Sequence, residues 1–375
     1  MASIALNNLI HDKIRFVVTL AGIAFAVFLI IVQLGVFFGF LATSSNIIDR
    51  SGADLWISCK GLPYVEVGSA FTERKLYKVL ATPGVARAEK HIVRFSRVKL
   101  PNGGEQGVII VGLNPDLGLG GPPELTAGQL NDLKLPDTVF IDEFYRSKLG
   151  INQLGDTLEI QNRRARVIGF TRGIRSFTTS PFVFTSFKNA LNYVPFLNDN
   201  ETIYILVKAA AGTDIESLKR RLADTISDVD VYTNYEFSWK TRRHFMFTTG
   251  AGTSLLVTAF MGLIVGVVIV ALTIYQTTID HLREYGTLKA IGASNYYIYK
   301  VIIKQAIISA ILGYLVGIIF SFTLIDLIRK GGPPIVLPWQ LIIGMLGVTL
   351  LMCISASLIS INKVTRIDPV MVFKD

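Results

Sequence analysis

Charge is what this sequence has least of. Only 17% of its 375 residues are Asp, Glu, Lys or Arg, against 51% that are hydrophobic, where a soluble domain usually carries about a quarter charged residues. That balance excludes an ordinary water-soluble globule and points to a membrane protein. Cysteine is scarce too: Cys59 and Cys353 are the only two, and the second lies inside an apolar run, so there is no disulfide framework. The four histidines, His11, His91, His244 and His281, fall in separate segments without metal-ligand spacing. No G-x-x-x-x-G-K-S/T, H-E-x-x-H or G-x-S-x-G motif occurs, so the sequence offers no P-loop and no positive sign of an enzyme. The apolar runs have essentially uncharged interiors, which argues against an ion or proton relay through them.

What the sequence does have is hydrophobic length. Residues 16–41 contain only Thr19 and Gln33 as appreciably polar positions, and about 20 helical residues cross a bilayer core of ~30 Å. A cleavable signal peptide has an apolar core of roughly 7 to 15 residues, so this run reads as an uncleaved anchor, transmembrane helix 1 over 16–42. Residues 1–15, with Ile4, Leu6, Leu9 and Ile10 ahead of Lys13 and Arg15, read as a cytoplasmic amphipathic helix. Further spans are expected over 251–279, 301–325 and 339–361, with a short extracytoplasmic loop at 326–338 and a cytoplasmic tail at 362–375. The formal charge of +9 is uneven: residues 43–243 hold 26 basic and 22 acidic residues and the rest 11 and 6. The basic excess is denser near the membrane, which favours positive-inside topology over nucleic-acid binding. Gly262 with Gly266 and Gly313 with Gly317 form two GxxxG pairs, candidate helix-packing contacts within one chain or between two.

Between the first and second spans, residues 43–250 read as a large extracytoplasmic α/β domain with a stalk. Strand, helix and two strands are expected over 54–58, 72–80, 88–100 and 107–112, then a Gly/Pro-rich loop over 114–128 that includes Gly118-x-Gly120-Gly121. A mostly β insert follows at about 130–195, with strands near 138–141, 157–160, 166–170 and 182–185. A second strand-helix-strand closes the domain at 203–207, 215–227 and 229–233, and 237–250 leads back as a helical stalk. The fold class is therefore an α-helical membrane protein with four transmembrane helices and a split α/β subdomain interrupted by a β insert. Phe177, Phe182, Phe184 and Phe187 suit the insert's core or an apolar cargo. Arg163, Arg164, Arg166, Arg172 and Arg175 suit an anionic partner, or edge strands protected against aggregation.

The charged stretch DHLREYGTLKAIGASNYYIYK, residues 280–300, is pinned between two spans. Leu282, Tyr285, Leu288 and Ile291 recur every three residues, Gly292 suits a helix C-terminus and Ser294 an N-cap, and a plain inter-helix loop is the other reading. The segment REYGTLKAIGAS resembles the R-E-x-G-x-L-K-A-x-G-A-S signature of permease subunits of MacB/FtsX/LolC-type (type VII) ABC transporters, with Arg283, Glu284, Gly286, Leu288, Lys289, Ala290, Gly292, Ala293 and Ser294 at matching positions. ALNNLIHDKIRFVVTLAGIAFAV near the start and Ile367-Asp368-Pro369-Val370 near the end are similar to the family's termini, and the run through Gln33-Leu34-Gly35 is most similar to DevC-type export permeases.

The resemblance implies a cytoplasmic coupling helix in which Leu282, Arg283, Glu284, Tyr285, Gly286, Leu288, Lys289, Ile291 and Gly292 meet an ATPase. It implies that a separate ATPase, in two copies, binds ATP and Mg, that this chain holds no cofactor, metal or catalytic residue, and that the permease is a homodimer. It further implies a bacterial inner-membrane protein with cytoplasmic termini and a periplasmic domain, working with a periplasmic adaptor and a TolC-like outer-membrane channel by mechanotransmission. Three readings stay open: export of a lipid-like or hydrophobic substrate, extraction of lipoprotein or haem, and FtsX-like activation of a cell-wall hydrolase.

Overall fold

The computed structural model describes residues 13–176, 180–280, 286, 287, 289, 291–328 and 335–365. The expected N-terminal interfacial helix and Phe177 lie outside these. The chain divides into two units, residues 1–40 with 252–375 and residues 41–251.

Among the described residues the first unit has four long helices: α1 (Lys13–Ser44), which runs on into the second unit, α8 (Ala251–Asp280), α9 (Asn295–Ile328) and α10 (Trp339–Thr365). Each contains a stretch long and apolar enough to cross a membrane, over Phe16–Ser44, Ala251–Gln276, Asn295–Ile325 and Trp339–Leu358. Several of their hydroxyls are satisfied within the helices: Thr278, Ser321, Thr349 and Ser357 each donate to the carbonyl four residues back at 2.7 to 2.8 Å. That is the arrangement hydrocarbon demands, since it supplies no partner of its own. Tyr314 donates across helices to the Ile342 carbonyl at 2.8 Å.

The second unit opens with α2 (Asn46–Asp49) and then β1 (Leu55–Cys59), β2 (Phe71–Thr72), α3 (Arg74–Leu80), β3 (Val85–Lys99) and β4 (Glu105–Leu113). It continues with β5 (Glu124–Ala127), β6 (Thr138–Asp142), α4 (Arg146–Leu149), β7 (Thr157–Ile160), β8 (Arg163–Arg172), β9 (Phe182–Ser186) and α5 (Phe187–Tyr193). It ends with β10 (Glu201–Thr202), β11 (Tyr204–Ala209), α6 (Ile215–Thr225), β12 (Val229–Thr233) and α7 (Asn234–Arg243). The main sheet runs β12-β1-β11-β3-β4-β9-β6-β8-β5. Alternation along β1 splits two cores. Leu55 and Ile57 join Ile205, Val207, Val79, Leu218 and Leu222 under α3 and α6, while Trp56 and Tyr204 face the other way, onto Phe237 of α7.

β3 is long enough to serve both halves of the domain. Its first part pairs with β11 and its second with β4, so the mostly β part begins near Ile92, earlier in the chain than the 130–195 read from the sequence. β7 pairs with both β3 and β8, which closes the ring β3-β4-β9-β6-β8-β7 into a small barrel. Phe182 and Phe184 are buried inside it, as the core reading of that aromatic cluster expects. The edge-strand reading of the arginines fails. β8 is paired on both sides, by β7, β6 and β5, and Arg163, Arg164 and Arg166 are exposed on it without lying on a sheet edge. Arg172 instead pairs with Glu143 and Glu124, and Arg175 lies over the Phe144 ring at 3.9 Å. The 114–128 loop also contains one strand that turn residues concealed, β5 on β8.

Candidate coupling segment and stalk

Of the residues expected to meet an ATPase, Leu282, Arg283, Glu284, Tyr285 and Leu288 lie outside the described ones. Gly286, Thr287 and Lys289 are helical, and Gly286 is buried. The Ile291 N–H donates to the Thr287 carbonyl at 3.1 Å and the Gly292 N–H to the Lys289 carbonyl at 3.1 Å. Gly292 then takes φ +99°, a left-handed helix end that a side chain would strain. Ser294 starts the next helix: its carbonyl accepts from Tyr297 at 2.9 Å and its hydroxyl accepts the same N–H at 3.3 Å. A helical turn with a defined stop at Gly292 and a restart at Ser294 thus precedes α9, and Ile291 at its end is 80% exposed.

The stalk is anchored more firmly than the sequence reading anticipated. Thr233 and Glu236 form a reciprocal cap on α7: the Glu236 N–H donates to the Thr233 hydroxyl at 3.2 Å and the Thr233 N–H to the Glu236 carboxylate at 2.9 Å. Asn234 Nδ2 donates to the Ile48 and Ala53 carbonyls at 2.9 and 3.0 Å, and Arg242 reaches Asp49 at 2.6 Å and the Ser45 hydroxyl at 2.7 Å. Phe237 is fully buried, stacked on Tyr232 at 5.4 Å and packed against Trp56 and Tyr204. Beyond α7 the chain makes a π-helical turn over His244–Thr248, a wider winding that is rare and found mostly at functional positions. Tyr64 stacks on His244 at 4.6 Å, and Gly250 follows with φ +75°. The Thr-x-x-Glu cap is a sequence signal that could have marked the start of α7; nothing local marks the π turn.

Beside Phe237 the domain buries groups that water would otherwise serve. Glu66 Oε2 and Trp56 Nε1 lack a hydrogen-bond partner, and Glu89 and His91 are buried with only the backbone of Leu119 and of Gly112 beside their polar atoms. Burial pushes the Glu66 carboxyl up to about 7. It does the same to Glu89, against the opposing pull of Arg87 and the Leu119 backbone. Burial also pushes His91 down to about 3. Among the described residues no three His, Cys, Asp or Glu side chains come together as a metal site.

The glycine pairs are spent within the chain. A Cβ on Gly262 would meet Leu29 Cδ2 at 2.5 Å, and one on Gly266 Ile30 Cδ1 at 3.1 Å; on Gly313 it would meet Ile23 at 2.6 Å, and on Gly317 the Ala24 carbonyl oxygen at 2.8 Å. All four neighbours belong to α1.

Four membrane-spanning helices and a large α/β domain inserted between the first two define a membrane protein with a large extracytoplasmic domain. The profile of the MacB-like periplasmic core domain matches residues 16–225, and that of the FtsX-like permease C-terminal region matches residues 256–369. The chain belongs to the MacB/FtsX-type family of ABC transporter permeases, and membership implies an ATPase partner. Two uncharacterized ABC transporter permeases of Mycobacterium tuberculosis, from strains H37Rv and CDC 1551, are 25% and 24% identical over 375 residues, 98% of each chain. One from Methanocaldococcus jannaschii is 22% identical over 58% of this chain and 57% of its own. Among solved structures, the periplasmic region of MacB from Actinobacillus actinomycetemcomitans aligns at 15% identity and TM-score 0.36, covering 51% of this chain and 94% of that one. The extracellular domain of YknZ from Gram-positive bacteria aligns at 17% identity and TM-score 0.34, covering 44% and 90%.

Proposed function

We propose that this chain is the non-catalytic membrane subunit of an ATP-driven exporter that works by mechanotransmission. Two copies are each gripped at residues 280–294 by one subunit of a separate ATPase dimer, which holds the ATP and Mg. Closing of the ATPase on ATP displaces α8 and α9, and the displacement passes along α8 into the stalk and the extracytoplasmic domain. A periplasmic adaptor and a TolC-like channel complete the route for a lipid-like or hydrophobic substrate in a bacterial inner membrane. The observation that carries this reading is the helical turn stopped at Gly292 and restarted at Ser294 between two membrane helices, in a sequence without a P-loop. A short segment tied to two spans can move both when it is pulled.

Affinity purification from the native host in mild detergent, with mass spectrometry of co-eluting proteins, tests the assembly. An ATPase with an adaptor is the expected outcome. An ATPase accompanied by a cell-wall hydrolase would identify a signal transmitter, and no ATPase even after crosslinking would refute the role given to residues 280–294.

A further inference from the structure

An apolar trough of about 800 Å³ lies between α1, α8 and α10, inside the roughly 300–1,000 Å³ range of ligand-holding clefts. It runs from Phe38 to Ile30 on α1, from Leu256 to Leu263 on α8 and from Gln340 to Val348 on α10. Seven or eight helical residues at 1.5 Å each make it about 12 Å long. Its outer end is the one where α1 leaves, and α8 returns from, the extracytoplasmic part of the chain. Its inner end is plugged: a Cβ on Gly266 would meet Ile30 at 3.1 Å, Ala26 at 3.3 Å and Met352 Cε at 3.6 Å, so the three helices close on one another just below. Gln340, at the outer end, is the only polar residue among the described ones that line it.

Length and closure select the occupant. The trough opens on hydrocarbon, so what fills it must be apolar. A helix from a second copy would cross the whole ~30 Å core and need a seat continuing past Met352, yet the trough stops near mid-depth. Helices also pair in membranes through small residues; the two GxxxG pairs are already taken by α1, and this wall is mostly Leu, Phe, Ile and Met. A depth of about 12 Å, closed at mid-bilayer, suits one acyl chain of one leaflet. We propose that the trough between α1, α8 and α10 seats a single acyl chain of an outer-leaflet phospholipid, its headgroup at the Gln340 end.

The test uses the full chain in nanodiscs of phosphatidylethanolamine and phosphatidylglycerol, doped with a phosphatidylethanolamine carrying a diazirine in mid-chain. Photolabelled peptides are read by mass spectrometry. Label is expected to concentrate on the peptides that contain Leu34, Leu263 and Met345. Gly344 lies on the trough wall and Gly347 does not, yet a Cβ at either would meet nothing within 4 Å. Gly344→Trp should therefore cut the labelling at least fivefold while Gly347→Trp leaves it unchanged; Gly344→Leu gives the same reading with a smaller plug if the Trp variant does not fold. Equal labelling in all the proteins, or label spread evenly over α8 and α9, overturns the proposal. So does a disulfide between two copies formed through Leu263→Cys, which would put a helix in the trough. No ATPase or transport enters the assay, so its result is independent of the coupling scheme.

Discussion

Replacing Glu66 by Gln should stabilise the extracytoplasmic domain at pH 8 and leave it nearly unchanged at pH 4.5. Glu66 sits in a short turn at Val65–Val67, with Oε2 buried and unpartnered, and burial raises its carboxyl from 4.5 to about 7. Below pH 4.5 both the folded and unfolded chains hold the proton and the group contributes nothing to the pH dependence. Between pH 4.5 and 7 the unfolded chain releases the proton while the folded domain keeps it, so stability falls as the pH rises. Above 7 both states are ionised and the loss is complete. At ~1.4 kcal/mol per pH unit the full difference is ~3 kcal/mol. His91, pushed down to about 3, acts in the opposite sense between pH 3 and 6.5 and would mask this slope in the wild type alone. The informative quantity is the stability of Glu66→Gln minus that of wild type at each pH, in which His91 and Glu89 cancel. A fragment spanning residues 41–251 carries both of the domain's cores, and urea unfolding can be followed by the fluorescence of buried Trp56. A gain at pH 8 that exceeds the gain at pH 4.5 by ~3 kcal/mol is expected. A difference under ~1 kcal/mol, or one of opposite sign, would show that Glu66 is solvated or paired in the folded domain.

Under the proposed coupling scheme, Glu284→Lys and Gly286→Pro should each abolish coupling to the ATPase while the membrane unit still purifies as a folded species; normal transport by either would sink the lever. Phe237→Ala removes the ring between Trp56, Tyr204 and Tyr232 and should cost the 41–251 fragment ~3–5 kcal/mol in urea unfolding. Arg242→Ala should cost no more than ~1 kcal/mol, because Arg242 and Asp49 are about a third exposed, and a larger loss would mean that this pair, not the aromatic cluster, holds the stalk. Gly317→Leu would drive a side chain into the Ala24 carbonyl and Val27 and should sharply lower the thermal stability of the protein in detergent, whereas Gly344→Leu should not; equal effects would refute the contact with α1.

Most of the architecture was legible because it is periodic. Runs such as VIIV at 108–111 and YILV at 204–207 can only be buried strands or buried helix segments, and their length decides for strands. What escaped was long-range or marginal. β7 closes the barrel through two residue pairs with β3, Val98 with Ile160 and Lys99 with Glu159, and no local pattern announces a contact across 60 residues. β5 has four residues and a register shift on β8, too short to rise above its Gly and Pro surroundings. Glu66, Glu89 and His91 have the side chains of surface residues and are buried, because the neighbouring segments cover them: a Cβ on Gly120 would lie 2.3 Å from the His91 ring. The coupling segment was read from a motif whose residues only partly fall among those described, so its stop at Gly292 and restart at Ser294 are what the geometry adds.

The glycine contacts bear on how a pull at residues 280–294 would travel. Both helices that flank the segment rest on α1, α8 through Gly262 and Gly266 and α9 through Gly313 and Gly317, and at each glycine a single added carbon would come within about 3 Å of α1. Contacts that close resist sliding, since packed surfaces change by discrete repacking and not by continuous shear. Met352 of α10 reaches the same level, near Gly266, and Tyr314 bonds α9 to the Ile342 carbonyl of α10. If the segment is gripped, α8 and α9 cannot tilt against α1 without breaking these seats, so the four helices should move together as one body. The compliant element then has to lie outside the bundle, and the π turn at His244–Thr248 with Gly250 behind it is the place along α7 and α8 where regular helical hydrogen bonding is interrupted. Gly250→Ala would strain the left-handed residue behind that turn and should, under the proposed scheme, disturb the coupling of ATP hydrolysis to extracytoplasmic movement while ATPase binding persists; unchanged coupling in that variant would locate the hinge elsewhere.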